Sequence, residues 1–255
     1  MFITSQNPVF IITGASRGLG QGFTEVIPSI YPGATVFGIL RDPVKFNQPK
    51  VIPISADLSD PLMAQRGVAE IFQQLNSGNA NSNLEFVLIN NAGILGPIRK
   101  FKDLNPVDLE SVFNVNFISA AAISGEFLRQ TDELGYANRL VINISSGGGK
   151  HPYSGWSSYC SSKAALDMLT AVCALEYKMD EKTAFAAVSP GVLNTAMQVT
   201  IRESDMEDFP QRSRFIELYQ NDELIDPNTA AKFIIERCRT RGYKNGEELD
   251  IRTLV

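Results

Sequence analysis

The chain has 255 residues, enough for one large domain, and its 44% hydrophobic and 20% charged residues belong to a globular protein rather than a disordered or fibrous one. One histidine, His151, and three scattered cysteines, Cys160, Cys173 and Cys238, form no CxxC or HxxxH pair, so no metal site is expected. A formal net charge of −5 argues against general binding to nucleic acid or anionic lipid.

The first residues carry no charged-then-apolar leader, and no apolar run of the ~18 residues needed to span a membrane is read; the expectation is a soluble, cytoplasmic protein. Val9–Thr13 (VFIIT) is an unbroken apolar run, as expected of a strand buried on both faces of a parallel sheet. Leu19 to Ile30 reads as a helix closed by Tyr31-Pro32-Gly33. Thr35–Leu40 and Val51–Ala56 read as strands, Pro61–Leu75 as a helix, and Ser77–Asn83 as a polar loop. Phe86–Asn90 is a fourth strand, Pro106–Arg129 a long helix, Leu140–Ser145 a fifth strand and Trp156–Tyr177 a second long helix. Thr183–Ser189, Asn228–Arg239 and Glu247–Ile251 complete the pattern as strand, helix and strand. The alternation implies right-handed crossovers and an α/β fold: a single-domain Rossmann fold over residues 1–255, a doubly wound parallel sheet of about seven strands flanked by helices. Residues 192–227 are long and charged between the last two regular units, and read as a substrate lid.

Thr13-Gly14-Ala15-Ser16-Arg17-Gly18-Leu19-Gly20 follows the first strand and opens the first helix. Glycines there allow a tight turn and close approach of a pyrophosphate, and the helix N-terminus offers unpaired N–H groups to it. Tyr159 and Lys163, four residues apart on a helix, share one face. An ammonium beside a phenol favours the phenolate and draws its pKa down from ~10. Ser145-Ser146 ends the fifth strand, at the edge where open α/β sheets bind ligands. His151 and Cys160 read as incidental and as helix packing, and Trp156 as a residue of the substrate mouth or of the sheet edge.

Taken together these residues resemble the short-chain dehydrogenase/reductases. Thr13–Gly20 is similar to that family's TGxxxGxG turn, Asn90-Asn91-Ala92-Gly93 to its NNAG segment, and Asn116 to its helix asparagine. Ser146, Tyr159-x-x-x-Lys163 and Pro190-Gly191 with Thr195 complete the set, in order, over nearly the whole chain. The resemblance implies Tyr159 as general acid, Ser146 as the residue that polarises the carbonyl, Lys163 as ribose ligand and Asn116 as the anchor of a proton-relaying water. It implies NADP(H) held by Gly14, Ser16, Arg17, Gly18, Leu19 and Gly20, then Arg41, Asp57 and Leu58, then Asn91, Ala92 and Gly93. Tyr159, Lys163, Pro190, Gly191, Leu193, Thr195 and Met197 would close over the nicotinamide. The second strand ends in Gly38-Ile39-Leu40-Arg41 without an acidic residue for a free 2′-hydroxyl, and Arg17 and Arg41 suit a 2′-phosphate. Asp42 beside them is a competing carboxylate for the ribose.

Within the family the chain is most similar to the sepiapterin reductases, through Leu88–Gly96, Val141–Ser146 and Gly155–Ala165. That similarity implies a pterin substrate bound by Ser146, Tyr159, Trp156, Gly191 and Asp250, with Asp250 gripping the guanidine-like edge. Gly147-Gly148-Gly149 and the tail from Ile251 to Val255 depart from that group, and the glycines suggest a wider pocket. The alternatives are a reductase of benzil-like diketones and a non-enzymatic NADP(H) sensor. A homodimer through the two long helices is the family expectation.

Overall fold

The computed structural model describes residues 1–76, 84–136 and 138–253, so the expected loop at Ser77–Asn83 and the last two residues of the tail lie outside the described residues. Seven strands make one parallel sheet: β1 (Val9–Thr13), β2 (Thr35–Leu40), β3 (Ile52–Ser55), β4 (Glu85–Asn90), β5 (Asn138–Ile144), β6 (Thr183–Ser189) and β7 (Glu247–Asp250). Their order is β3-β2-β1-β4-β5-β6-β7. The chain winds outward from β1 and then restarts at β4 on the other side. The switch point between β1 and β4 therefore opens a crevice at the carboxyl ends of these strands.

Alternation of side chains divides the core between two faces. Phe10 and Ile12 of β1 pack under α1 (Gly18–Ile30) and α8 (Pro227–Thr240), through Phe23, Ile27, Ala231 and Ile234. Val9 and Ile11 face α2 (Pro61–Asn76) and the long helical run 106–134, through Val68, Phe72, Ile123 and Phe127. Helix α5 (Ser157–Glu176) completes that second layer.

Three expectations are corrected. The run read as one helix, Pro106–Arg129, is α3 (Pro106–Phe113), a π-helical turn at Asn114–Ile118, and α4 (Ser119–Leu134). With a mean hydropathy of 1.2 over its best window, this run is long and apolar enough to cross a membrane by length and composition, contrary to the sequence reading. In the fold it is a core helix, with Ile123, Phe127 and Leu128 buried under the sheet. Residues 192–227 are also more than a loop, for they contain α6 (Ala196–Arg202) and α7 (Arg212–Gln220). Ile201, Phe209 and Phe215 from this segment pack on Trp156, Leu95 and Tyr159 as a third apolar cluster. The segment is thus anchored by an aromatic core of its own.

Candidate active site

A cleft of about 1390 Å³ lies along the carboxyl ends of the strands, and residues from all the expected motifs line it. Its first half is built by the glycine turn. Gly14 and Gly18 have φ of +67° and +55°, a conformation in which glycine avoids strain. A Cβ on Gly20 would overlap the Gly14 carbonyl oxygen and lie 2.7 Å from Asn91 Nδ2, so this glycine lets α1 seat against the turn. No acidic side chain enters the first turn of α1, and no side chain caps it. Its leading N–H groups are therefore left for an anion. The turn is fixed from behind by Thr13, whose Oγ1 accepts from the backbone N–H groups of Asn91 and Ala92 at 2.9 Å each. Asn91 Nδ2 donates to the Thr13 carbonyl at 2.9 Å.

Gly14, Ser16, Arg17, Gly18, Leu19, Arg41, Asp57, Leu58, Asn91, Ala92 and Gly93 all line this half, whereas Gly20 shapes it from beneath. Hydrogen bonds from the N–H and hydroxyl of Ser59, each 2.9 Å, hold the Asp57 carboxyl below its usual range, and Arg41 acts in the same direction. Asp42 pairs with Lys45 at 3.2 Å. Arg17 and Arg41 are exposed at the rim. A cradle of glycine backbone, an uncapped helix start and two arginines fits a phosphorylated dinucleotide.

At the middle of the cleft, Ser146 follows β5 and accepts from the Gly148 N–H at 3.0 Å. Tyr159 sits in the first turn of α5, and burial pushes its phenol pKa up, while a hydrogen bond with Ser146 pulls it down. Lys163, one turn later, donates from Nζ to the Ile144 carbonyl at 2.7 Å and lies 6.0 Å from the centre of the Tyr159 ring. Burial lowers the Lys163 pKa from 10.5 to about 8, and Asp167 one further turn along opposes that fall. The sequence reading, in which the ammonium draws the phenol down, is corrected here. The net direction for Tyr159 is upward, because the phenol loses hydration that Lys163 does not replace. A phenol that keeps its proton at neutral pH is a proton donor.

The π turn places Asn116 against the same group. Asn116 Oδ1 accepts from the Ile94 N–H at 2.8 Å, and Nδ2 donates to the Ile94 carbonyl and to Ser162 Oγ, both at 2.9 Å. The buried asparagine clamps the loop after β4 to α5, beside Lys163. Both of its N–H donors are committed, so neither is free to hold a relay water. A Cβ on Gly93 would stand 3.5 Å from both Asn116 Oδ1 and Lys163 Nζ, which shows how closely the three approach.

Pro190, Gly191, Leu193, Thr195 and Met197 line the wall beyond Lys163. The outer half is aromatic. Trp156 stacks on Phe209 at 4.8 Å and 10° and meets Tyr159 edge-on at 5.7 Å, with Tyr153 4.8 Å away. Asp250 does not stand open to this half. Its two oxygens are gripped by Arg252, Nε to Oδ1 at 3.0 Å and Nη2 to Oδ2 at 2.5 Å, and Arg252 rather than Asp250 lines the cleft. Sequence reasoning missed Arg252, Arg214, Tyr153 and Phe215 in the wall, and Asp167 behind Lys163. Arg252 had one local signal, since an Asp two residues earlier accepts its N–H at 3.0 Å in a turn that aspartate favours.

Comparison with known proteins matches this arrangement to one family. The model of the short chain dehydrogenase family covers residues 8–206. The chain is 32% identical to benzil reductase ((S)-benzoin forming) of Bacillus cereus, over 94% of this chain and 98% of that protein. It is 29% identical to sepiapterin reductase of Rattus norvegicus, over 95% of each. Among solved structures, the KRED1-Pglu enzyme superposes with a TM-score of 0.79 at 25% identity, over 94% of this chain and 99% of that one.

Proposed function

The chain belongs to the short-chain dehydrogenase family, and we propose that it is an NADPH-dependent carbonyl reductase acting on bulky aryl ketones and 1,2-diketones. The observation that carries this reading is the grouping of half-buried Ser146 with buried Tyr159 and Lys163 at the centre of a cleft with a glycine cradle at one end and an aromatic wall at the other.

The glycine turn and the start of α1 would hold the pyrophosphate of the dinucleotide, and Arg17 and Arg41 its 2′-phosphate. Asp42, paired with Lys45, is drawn away from competing for the ribose. Bound there, the nicotinamide supplies the hydride. The protein's part is position and a proton. Tyr159 donates its phenolic proton to the carbonyl oxygen as negative charge develops on it. Ser146 donates a hydrogen bond to the same oxygen and so polarises the carbonyl. Lys163, anchored on the Ile144 carbonyl with its Nζ 6.0 Å from the centre of the Tyr159 ring, keeps a positive charge within reach of the phenolate that forms as the proton leaves. Asn116 ties the loop after β4 to the helix of Lys163 through Ser162, and the charge of Asp167 favours the protonated form of Lys163.

The aromatic wall of Trp156, Tyr153 and Phe215, backed by buried Phe209, favours a flat, bulky substrate. A pterin requires a carboxylate open to its guanidine-like edge, and the carboxylate of Asp250 is closed by Arg252. The diketone reading is therefore preferred to the pterin one. We also propose a homodimer through the outer faces of α4 and α5, where Met168 and Leu175 stand 65% and 71% exposed. The test is nicotinamide oxidation by purified protein offered benzil, sepiapterin and no carbonyl, each with NADPH and with NADH. Turnover of benzil with NADPH is expected; NADPH binding without turnover of any carbonyl would favour a nucleotide sensor instead.

A further inference from the structure

We propose that Arg252 is a specificity-determining residue: it reaches the substrate half of the cleft through a slot made by two glycines and donates to a second oxygen beside the carbonyl that is reduced. The assignment rests on the reading of the cleft as a carbonyl-reducing site and names the substrate class that the site selects, aryl 1,2-dicarbonyls, including aryl keto acids.

Three observations carry it. The first is the slot. A Cβ on Gly147 would lie 3.6 Å from Arg252 Nη2, and a Cβ on Gly191 would lie 3.3 Å from Arg252 Cγ and 3.6 Å from Cδ. Gly147 follows Ser146 directly and Gly191 follows Pro190, so the arginine passes between the two loops that flank the reacting carbonyl. The glycines after Ser146 do not simply widen the pocket: Arg252 lies beside Gly147, while Gly148 and Gly149 pack against Tyr159 and Asp167.

The second is how the guanidinium is held. Nε and Nη2 are taken by the Asp250 carboxylate in a two-bond fork, while Nη1 has no protein partner among the described residues. A guanidinium fixed along one edge offers its remaining N–H groups in a set direction, at little entropic cost on binding. The third is the sign of the neighbourhood. Arg214 also lines this half, donating to the Tyr153 hydroxyl at 3.4 Å, and Arg252 stands within electrostatic reach of the same tyrosine. Asp250 is taken up by Arg252 itself, and Asp226, which also lines the cleft, caps α8 on the Thr229 N–H at 2.8 Å. The outer cleft thus presents cationic donors and aromatic rings, which suit a ketone bearing a neighbouring carbonyl or carboxylate and repel a ligand that presents donors.

The experiment uses benzoylformate as an anionic aryl 1,2-dicarbonyl, acetophenone as a ketone lacking the second oxygen, and sepiapterin as a donor-edged ligand. Trp156 is the single tryptophan in the chain and lines the cleft, so quenching of its fluorescence reports binding independently of turnover. Arg252→Ala is expected to weaken benzoylformate by about 10–100-fold more than acetophenone, in Kd and in KM, and to improve sepiapterin relative to both. Arg252→Lys, which keeps the charge but not the fork, should recover part of that preference. Equal losses for benzoylformate and acetophenone, or no loss for either, would overturn the role of Arg252. Preferential loss of benzoylformate binding in a protein that reduces none of the three would uphold Arg252 as a ligand residue and overturn the reductase reading.

Discussion

Burying Lys163 costs the fold stability, and the cost is measurable. The residue is 3% exposed and its pKa is drawn from 10.5 to about 8. At about 1.4 kcal/mol per pH unit, that fall corresponds to ~3 kcal/mol of destabilisation at neutral pH, where the buried ammonium is charged. Lys163→Met keeps the linear stem and removes the charge, at the loss of the hydrogen bond to the Ile144 carbonyl, worth roughly 1 kcal/mol. The variant should therefore be more stable than the parent by about 2 kcal/mol at pH 7, a rise in Tm of about 4–8 °C for a chain of this size. The sign reverses the usual case for lysine. Between pH 8 and 10.5 the unfolded chain holds a proton on this lysine that the folded one has released, so the parent gains stability as pH rises through that window. The advantage of the variant should shrink accordingly. Thermal and urea unfolding of both proteins at neutral and alkaline pH, without cofactor, make the comparison. A variant that is less stable than the parent at pH 7, or a difference that does not change with pH, would refute the reasoning.

Other consequences are equally direct. Because the phenol of Tyr159 is raised and Lys163 titrates at about 8, kcat/KM for reduction should hold level below that pH and decline above it as the ammonium is lost. Asp167→Asn, which removes the charge that supports Lys163, should move the decline to lower pH in the same pH–rate profile. Arg17→Ala and Arg41→Ala should each cut the kcat/KM ratio of NADPH over NADH by about 10-fold, since an exposed guanidinium–phosphate contact is worth roughly that factor. Gly20→Ala forces a methyl group into the Gly14 carbonyl, and overpacking of this kind costs about 1–3 kcal/mol. Calorimetry should show the lower Tm together with weaker NADPH binding.

What could be read from the sequence was what depends on neighbours in the chain. The buried run Val9–Thr13, the glycines from Gly14 to Gly20 and the spacing of Tyr159 and Lys163 express local rules of strand, turn and helix, and the order of such units gave the doubly wound sheet. The π turn at Asn114–Ile118 adds a wider turn inside a helix without disturbing apolar periodicity enough to be seen. The direction of the Tyr159 pKa depends on burial by the segment at 192–227, whose Phe209 and Phe215 follow no simple period but find Trp156 in space. Asp250 was legible as a carboxylate at the end of the last strand. That its charge is claimed by Arg252 depends on where the chain turns after β7 and on the space left by Gly147 and Gly191.

The central claim is that Tyr159 hands its proton to a carbonyl oxygen in this cleft, and one variant addresses it. Nicotinamide oxidation with benzil should fall by about 10²–10⁴-fold in Tyr159→Phe, the usual contribution of a positioned acid, while NADPH still binds with nearly its original affinity. Retention of the parent rate by that variant would contradict the assignment.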